Sequence, residues 1–284
     1  MIDMRGNNIL NIGVANEASI CWGISEKIGY LGAKQFYLCH PDMFSRLQRL
    51  AGGREGTIGI MACDFADVAS MVESFERLVA MGTNFQGIVH GVAWADRNEL
   101  RGDFTGTTLE NFLKCMQVSV YSLLHVGAWA RRLMPAYGSI ITLTYDASRA
   151  TLPHYNVMGV AKGALETTMR YLATELGEHD IRVNAISASP ENTLSARGIR
   201  HFRFIGDHDE GMSPMGRRAG IAEIASHAAY LLSDQSTGVT GQVQFVDCGT
   251  SIVHMAPARH AGKMGATYAA IDETMKKESD AIEK

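Results

Sequence analysis

Short apolar runs alternate along this chain with longer stretches in which apolar residues recur every three or four positions. The runs are rich in β-branched residues and contain few polar positions, which is typical of strands buried on both faces of a parallel sheet. They cover residues 9–14, 35–39, 58–62, 87–90, 139–144, 182–186 and 243–246. The stretches between them have the period of helices that cover such a sheet.

This alternation predicts an α/β fold in which about seven parallel strands form one doubly wound sheet of Rossmann type, with helices on both faces. Crossovers between parallel strands are right-handed, and ligands bind at the carboxyl ends of the strands. No linker or internal repeat interrupts the pattern. We therefore expect one domain over residues 1–256 and an appended tail over residues 257–284.

Composition narrows the classes of function. The chain has 284 residues, of which 46% are hydrophobic, and a formal net charge of −4 at pH 7. This balance argues against nucleic acid or an anionic membrane surface as partner. No apolar run is long enough to cross a membrane, and the amino terminus lacks a signal-peptide core. The 5 cysteines are scattered without a CxxC pair, so we expect no disulfide framework, no metal site, and reduced thiols in a cytoplasmic protein.

The turn after the first run has the features of a phosphate-binding loop. Gly13 permits a tight turn, Ser19 stands where a helix is expected to begin, and Gly23 lets that helix pack close to the sheet. Ser19 and the amide of Ile20 lie at the amino end of the helix, where a pyrophosphate is favoured. The spacing is not G-x-G-x-x-G, so a plain strand-to-helix turn is an equal alternative.

The residues after the second and third runs bear on which dinucleotide is bound. His40 is not part of the basic pair that an extra phosphate requires, which favours NADH over NADPH, although Arg46 counts against this preference. Asp64, with Phe65 beside it, closes the third run, where its carboxylate can accept a hydrogen bond from an adenine amino group. The alternative for Asp64 is a helix amino-cap.

Small residues follow the fourth run in the segment 91–95. Val92 and Ala95 belong to this segment, against whose backbone a nicotinamide ribose can lie. Downstream, residues 108–134 form one long predicted helical stretch with an apolar face. That face packs either in the core or in a subunit interface.

Two tyrosines and a lysine follow the fifth run. Tyr145 comes directly after it, and Tyr155 and Lys162 are seven positions apart, which places both on one face near the start of a helix. A lysine ammonium stabilises developing negative charge, and a phenol donates a hydrogen bond to an oxyanion. The alternative is a tyrosine that caps the core and a solvated lysine.

These segments resemble the enoyl-[acyl-carrier-protein] reductases of bacterial fatty-acid biosynthesis, which are divergent short-chain dehydrogenases/reductases. The resemblance extends from about Met4 to Met255. It rests on Gly13-x5-Ser19-x3-Gly23, Tyr145-x9-Tyr155-x6-Lys162, Tyr155-Asn-Val-Met-Gly-Val-Ala-Lys162 and Arg182-Val-Asn-Ala-Ile-Ser187. The spacing of Tyr155 and Lys162 is specific, since ordinary members of the superfamily place the lysine where this chain has Gly159.

The resemblance implies a role for each of the three residues. Tyr155 would hydrogen-bond the carbonyl oxygen of a trans-2-enoyl thioester, carried by acyl carrier protein or coenzyme A, as it becomes an enolate. Lys162 would hold the nicotinamide ribose hydroxyls. Tyr145 would assist protonation or positioning on the other side of the substrate. NADH would supply the hydride, with NADPH the less expected donor.

The resemblance implies further cofactor and substrate contacts in a substrate loop over about residues 190–212. The cofactor residues are Glu191, Asn192, Thr193, Leu194 and Ser195, and the substrate residues are Ala95, Met158, Ile199 and Phe202. A basic rim where an acidic carrier protein could dock consists of Arg197, Arg200 and Arg203. A solvated helix face explains those arginines nearly as well. Family members of this type are expected to form homotetramers.

Several positions depart from the family pattern. They are Asp146, His154, Ser189, Glu191, Asn192 and Cys248. The added polar groups near the substrate leave two rivals open. One is a pathway-specialised reductase that acts on another activated alkene or carbonyl. The other is a catalytically silent, NAD-binding regulatory protein.

The tail is predicted to form a short amphipathic helix. Tyr268, Ile271, Met275 and Ile282 recur near helical spacing. This helix is expected either to pack on a neighbouring subunit or to fray.

Overall fold

Seven parallel strands form one sheet in the order β3-β2-β1-β4-β5-β6-β7. The computed structural model describes residues 2–134, 137–193, 196, 199, 202–257 and 260–282. The strands are β1 (Asn8–Ile12), β2 (Lys34–Cys39), β3 (Thr57–Ala62), β4 (Gly87–His90), β5 (Ser139–Thr144), β6 (Arg182–Ala188) and β7 (Val243–Val246). The predicted doubly wound fold is confirmed. Because the strand order reverses between β1 and β4, a crevice opens at their carboxyl ends.

Helices cover both faces of the sheet. They are α1 (Ile20–Tyr30), α2 (Pro41–Ala51), α3 (Val68–Ala80), α4 (Leu109–Met116), α5 (Ser122–Leu133), α6 (Val157–Gly177), α7 (Phe202–Met212), α8 (Ile221–Leu232) and α9 (Ala261–Ile282). One apolar core lies between the sheet and α3, α5 and α6, and a second lies between the sheet and α1, α2 and α8. The predicted helical stretch over 108–134 consists of α4 and α5 joined by a π-helical turn, Gln117–Tyr121.

Side-chain caps fix where several helices begin. Ser19 Oγ accepts from the backbone N–H of Trp22 at 3.1 Å and starts α1. Asp67 caps α3, and Thr108 caps α4. Such caps satisfy amide donors that have no partner within the helix.

The expectation that Gly23 brings α1 close to the sheet is wrong. A Cβ at Gly23 would lie 2.0 Å from Cγ2 of Ile221, the first residue of α8. The close approach is therefore between α1 and α8, which lie side by side on the same face of the sheet. The sequence pattern indicates that a small residue is needed at position 23. It does not indicate which neighbouring element makes a side chain impossible there.

The tail contributes α9, which packs against α7 of the same chain. Met264 and Thr267 are buried in this contact region, and a Cβ at Gly211 of α7 would meet the sulfur of Met264. Tyr268 lies edge-on against His208 of α7, with ring centroids 6.2 Å apart. The side chains of Ile271, Met275 and Ile282, which carry part of the predicted apolar stripe, lie outside the described residues.

Among the described residues, no helix has the length and apolar character needed to span a membrane. The cysteines are all free, and four of them are buried. No group of three or more metal-ligating side chains occurs within the described ranges.

Candidate active site

Tyr145 and Tyr155 meet at the carboxyl edge of the sheet. Tyr145 directly follows β5, and its ring lies 5.4 Å from that of Tyr155 at an interplanar angle of 63°. This edge-on arrangement is the favoured geometry for an aromatic pair. The structure thus brings together two side chains that the sequence places ten positions apart.

The spacing predicted Tyr155 on the helix, near its start. The structure instead places Tyr155 in the turn before α6. α6 begins at Val157, and Asn156 precedes it with a φ of 42°. The Asn156 side chain donates to the carbonyls of Glu99 at 2.9 Å and Gly102 at 3.0 Å. These bonds hold Asn156 at a positive φ that few non-glycine residues adopt, so Tyr155 is oriented by the segment after β4 as well as by α6.

Lys162 is the buried cation of the site. It lies on α6 and is 7% exposed, and its Nζ donates to the carbonyl of Leu143 in β5 at 2.8 Å. Burial lowers the pKa of Lys162 to about 8, and nearby Glu166 and the Cys115 thiol oppose this shift. At neutral pH the ammonium is therefore present, held inside the protein by the backbone of β5.

The two phenols stay protonated at neutral pH. Burial raises the pKa of Tyr155 well above its ordinary value, and the nearby Cys115 thiol raises it further. Burial also raises the pKa of Tyr145, and the carboxylate of Asp209 adds to the shift. Both hydroxyls are thus available as hydrogen-bond donors.

An open cleft with a volume of about 190 Å³ lies beside Tyr145. Its walls come from the ends of β5, β6 and β7 and from α7, and they include Asp146, His208, Asp209, Asp247 and Val253. Asp146, Asp209 and Asp247 are the acids of this cleft, and the rest of its lining is apolar or neutral apart from His208. Sequence reasoning singled out Asp146 but missed Asp209 and His208, since nothing in the pattern of α7 distinguishes them from surface polar residues.

The turn after β1 can accommodate a dinucleotide phosphate. Gly13 has a φ of 96°, and a Cβ there would lie 2.7 Å from the carbonyl carbon and oxygen of Gly91. No side chain fits between the ends of β1 and β4, so backbone lines the crevice at this point. The Ser19 hydroxyl donates to the carbonyl of Asn16 at 2.8 Å while it caps α1. The amide of Ile20 then belongs to the helix end that attracts anions.

His40 and Asp64 come together at the ends of β2 and β3. His40 Nε2 lies 3.8 Å from Asp64 Oδ1, and both side chains are partly exposed. Asp64 Oδ1 accepts from the Ala66 amide at 2.8 Å, whereas Asp67 caps α3, so the amino-cap alternative for Asp64 is wrong. The Phe65 side chain is buried in the core, which leaves only its backbone for a cofactor contact.

The segment after β6 carries the next group of predicted cofactor residues. Glu191 is half-buried, and burial raises its pKa while Arg218 opposes the shift. Arg218 donates to the carbonyl of Pro190 at 2.9 Å. Thr193 Oγ1 accepts from the Ala196 amide at 3.2 Å, and Asn192 is exposed. Leu194 and Ser195 lie outside the described residues, as do Arg197 and Arg200.

Three of the predicted substrate residues lie in or against the apolar core between the sheet and α6, and the fourth begins α7. Ala95 and Ile199 pack against the same apolar core as Tyr155, and so does Val92, a predicted cofactor residue. Met158 is buried, with its sulfur 3.7 Å from the Cys115 thiol. Phe202 begins α7, and Arg203 beside it is exposed, 3.8 Å from Asp207.

Comparison with known proteins identifies a family. A family model described as "Enoyl-(Acyl carrier protein) reductase" matches residues 13–251. The chain is 42% identical over 252 residues to "Enoyl-[acyl-carrier-protein] reductase [NADH] 1" of Rhizobium meliloti (strain 1021), covering 89% of this chain and 93% of that protein.

Solved structures of similar proteins share the whole fold. One is the enoyl-(acyl-carrier-protein) reductase of Anaplasma phagocytophilum in complex with NAD, with a TM-score of 0.84, 39% identity and coverage of 90% of this chain and 97% of that one. Another is the Bacillus cereus enoyl-acyl carrier protein reductase with NADP+ and indole naphthyridinone. It has a TM-score of 0.85, 36% identity and coverage of 90% of this chain and 100% of that one.

Proposed function

Since the chain belongs to the enoyl-(acyl carrier protein) reductase family, we propose that it reduces the trans-2 double bond of an enoyl thioester with NADH in fatty-acid biosynthesis. The observation that carries this proposal is the Tyr145–Tyr155 pair directly after β5, together with the buried ammonium of Lys162, which donates to the carbonyl of Leu143 near the end of β5. Two neutral phenols and one cation are the groups that an enolate oxygen needs as it gains charge.

The crevice fits a dinucleotide. Gly13 keeps side chains out of the space between β1 and β4, and the amino end of α1 offers its amides to phosphate. The His40–Asp64 pair after β2 and β3 presents a carboxylate where NADPH would require a basic group, so NADH is the preferred donor. Bound NADH supplies the hydride that adds to the β-carbon of the substrate.

Tyr155 acts on the thioester carbonyl. Its hydroxyl stays protonated because burial raises its pKa, so it donates a hydrogen bond to the oxygen that becomes an enolate. The turn at Asn156 holds the ring in place before substrate arrives, which reduces the reorganisation needed in the transition state.

Lys162 supplies positive charge and binds the nicotinamide ribose. An ammonium has three donors, and the carbonyl of Leu143 accepts one of them. The hydroxyls of the ribose can accept from the others. Because burial lowers its pKa to about 8, the charge is present at neutral pH and is lost in mildly alkaline solution.

Tyr145 lies across from Tyr155 and closes the other side of the substrate. The edge-on contact of the two rings sets the position of the Tyr145 hydroxyl relative to the thioester. From there it assists protonation of the α-carbon after hydride addition.

Exposed residues indicate which macromolecules bind this protein. The exposed guanidinium of Arg203 at the start of α7 is part of the rim where acyl carrier protein docks. Exposed apolar residues occur on α4, α5 and α6 and suit a homo-oligomer, which we expect to be a tetramer in the cytoplasm. They are Leu109, Leu113, Leu124, Val160 and Tyr171.

NADH absorbance tests the reaction class. Purified protein should oxidise NADH in the presence of trans-2-enoyl thioesters of graded chain length, and NADPH in parallel should support a lower kcat/KM. Tight NADH binding without turnover on every enoyl thioester would refute the proposal and favour the silent regulatory protein. Turnover restricted to a short or polar acyl group would favour the specialised reductase, for which Asp146, Asp209 and Asp247 in the cleft are the supporting observation.

A further inference from the structure

Asp209 on α7 is the side chain that contacts the hydroxyl of Tyr145. The Tyr145 hydroxyl donates to Asp209 Oδ1 at 3.4 Å, and Asp209 is 6% exposed. The same tyrosine contacts Tyr155 through its ring edge. One carboxyl group on α7 is thus connected through a single phenol to the position where the substrate reacts.

The groups near Asp209 come from several elements, and two of them are acids. Asp146 follows β5 and is paired with Arg149, and Asp247 follows β7. Arg218, in the segment after α7, is the cation near Asp209. On α7 itself His208 precedes Asp209, and Tyr268 of α9 lies against that histidine.

This setting makes ionisation of Asp209 unfavourable. Burial is the largest cause that raises the pKa of Asp209 to about 7, and the nearby Asp247 and Asp146 add to it, while the hydrogen bond from Tyr145 and the charge of Arg218 oppose it. Both forms of the carboxyl group are therefore populated near neutral pH.

We propose that Asp209 is a positioning residue that decides whether the Tyr145 hydroxyl donates its proton to Asp209 or to the substrate. When Asp209 is ionised it has only acceptors, so Tyr145 donates to it and turns its lone pairs towards the substrate. When Asp209 is protonated its own O–H donates to the Tyr145 oxygen, and the phenol proton points at the substrate. The inference rests on the proposed function, since it concerns the same tyrosine and the same reaction.

The proposal predicts that turnover falls as the pH rises. Protonated Asp209 is the active form, so kcat at saturating NADH falls as pH rises through about 7. Lys162 loses its proton about one pH unit higher, where its pKa lies near 8. With both groups titrating, the wild type at pH 8 keeps about one-twentieth of its turnover at pH 6.

Asp209→Asn is the direct test, because the amide has the shape of the carboxyl group and does not titrate. The variant should keep about half of its pH 6 turnover at pH 8, since only Lys162 still titrates. NADH affinity should be unchanged. Asp209→Ser, which is smaller and also neutral, gives the same expected profile and guards against a packing effect of the amide.

Asp207→Asn is the matched control. Asp207 lies on the same helix and pairs with Arg203 at the surface, so this variant should show the wild-type profile. His208→Gln should also show the fall in kcat near pH 7. Burial lowers the pKa of His208 below its ordinary value, so this histidine does not cause that fall.

A double variant separates action through Tyr145 from a general effect on α7. In a Tyr145→Phe background, Asp209→Asn should have no further effect on kcat or on its pH dependence. An Asp209→Asn variant with the wild-type profile, or an effect that persists without the Tyr145 hydroxyl, would overturn the inference alone. No turnover by the wild type at any pH would instead remove the proposed function, and the inference with it.

Discussion

Replacing Lys162 by methionine tests whether the buried ammonium is kept at the expense of stability. Lys162 is 7% exposed, and burial lowers its pKa from 10.5 to about 8. Each pKa unit is worth about 1.4 kcal/mol, so the charged lysine costs the folded state about 3 kcal/mol at neutral pH. Methionine has a side chain of similar length without a charge. Its main cost to stability is that the carbonyl of Leu143 loses its hydrogen-bond donor, which is worth about 1–3 kcal/mol.

The pH dependence gives the sharper test. The folded pKa of Lys162, about 8, lies below the ordinary value of 10.5, so between these two pH values the unfolded chain holds a proton that the folded chain has released. The free energy of unfolding of the wild type therefore rises across this window by up to about 3 kcal/mol. The penalty is fully present below pH 8, and the methionine variant lacks it at every pH.

Urea unfolding of both proteins at pH 7, 8.5 and 9.5 measures the difference. Other groups titrate equally in both, so the difference between the two free energies isolates Lys162. Lys34→Met at an exposed position is the control and should leave the pH dependence unchanged. A wild-type minus Lys162→Met difference that stays constant from pH 7 to 9.5 would refute the reasoning. The same variant should lose NADH affinity, and normal affinity would remove Lys162 from the cofactor site.

Three further predictions concern the chemistry and the packing. Tyr155→Phe should lower kcat by about 10²- to 10³-fold with little change in NADH affinity, as followed by NADH absorbance and fluorescence titration, and Tyr171→Phe on exposed α6 surface should be neutral. Gly23→Ala should destabilise the protein by about 1–3 kcal/mol in urea, and Ile221→Ala should relieve most of that loss if the contact with α8 is its cause. Removing residues 258–284 should uncover α7, lower the Tm and raise the KM for the enoyl thioester more than that for NADH; unchanged values would show that α9 does not support α7.

Local patterns predicted the strands closely. Each of them ends within two residues of its expected bounds; the largest differences are at β1, which stops at Ile12, and β6, which continues to Ala188. Buried parallel strands read as continuous apolar runs because both faces are covered, so the signal survives without knowledge of the neighbours. The candidate site residues Tyr155 and Lys162 were also proposed from a local pattern, since a seven-residue spacing brings two side chains to one face of a helix.

Contacts across the fold could not be read in this way. The Tyr145–Asp209 hydrogen bond joins the residue after β5 to α7, and the tail helix α9 packs on α7. In each contact the sequence identifies a residue of one element as polar or small. It does not identify the residue of the other element that this residue contacts. The identity of the other partner depends on how distant elements approach.

The amino-acid sequence by itself therefore determined the order and type of the elements and the parallel sheet, and it pointed to the tyrosine–lysine candidate site, because these depend on periodicity and short spacing. Only the tertiary structure decided three contacts. Gly23 allows α1 to approach α8 closely, His40 lies near Asp64, and Asp209 accepts a hydrogen bond from Tyr145. The physical reason is that burial and long-range contacts set pKa values and close packing, and both arise only when segments far apart in the chain come together.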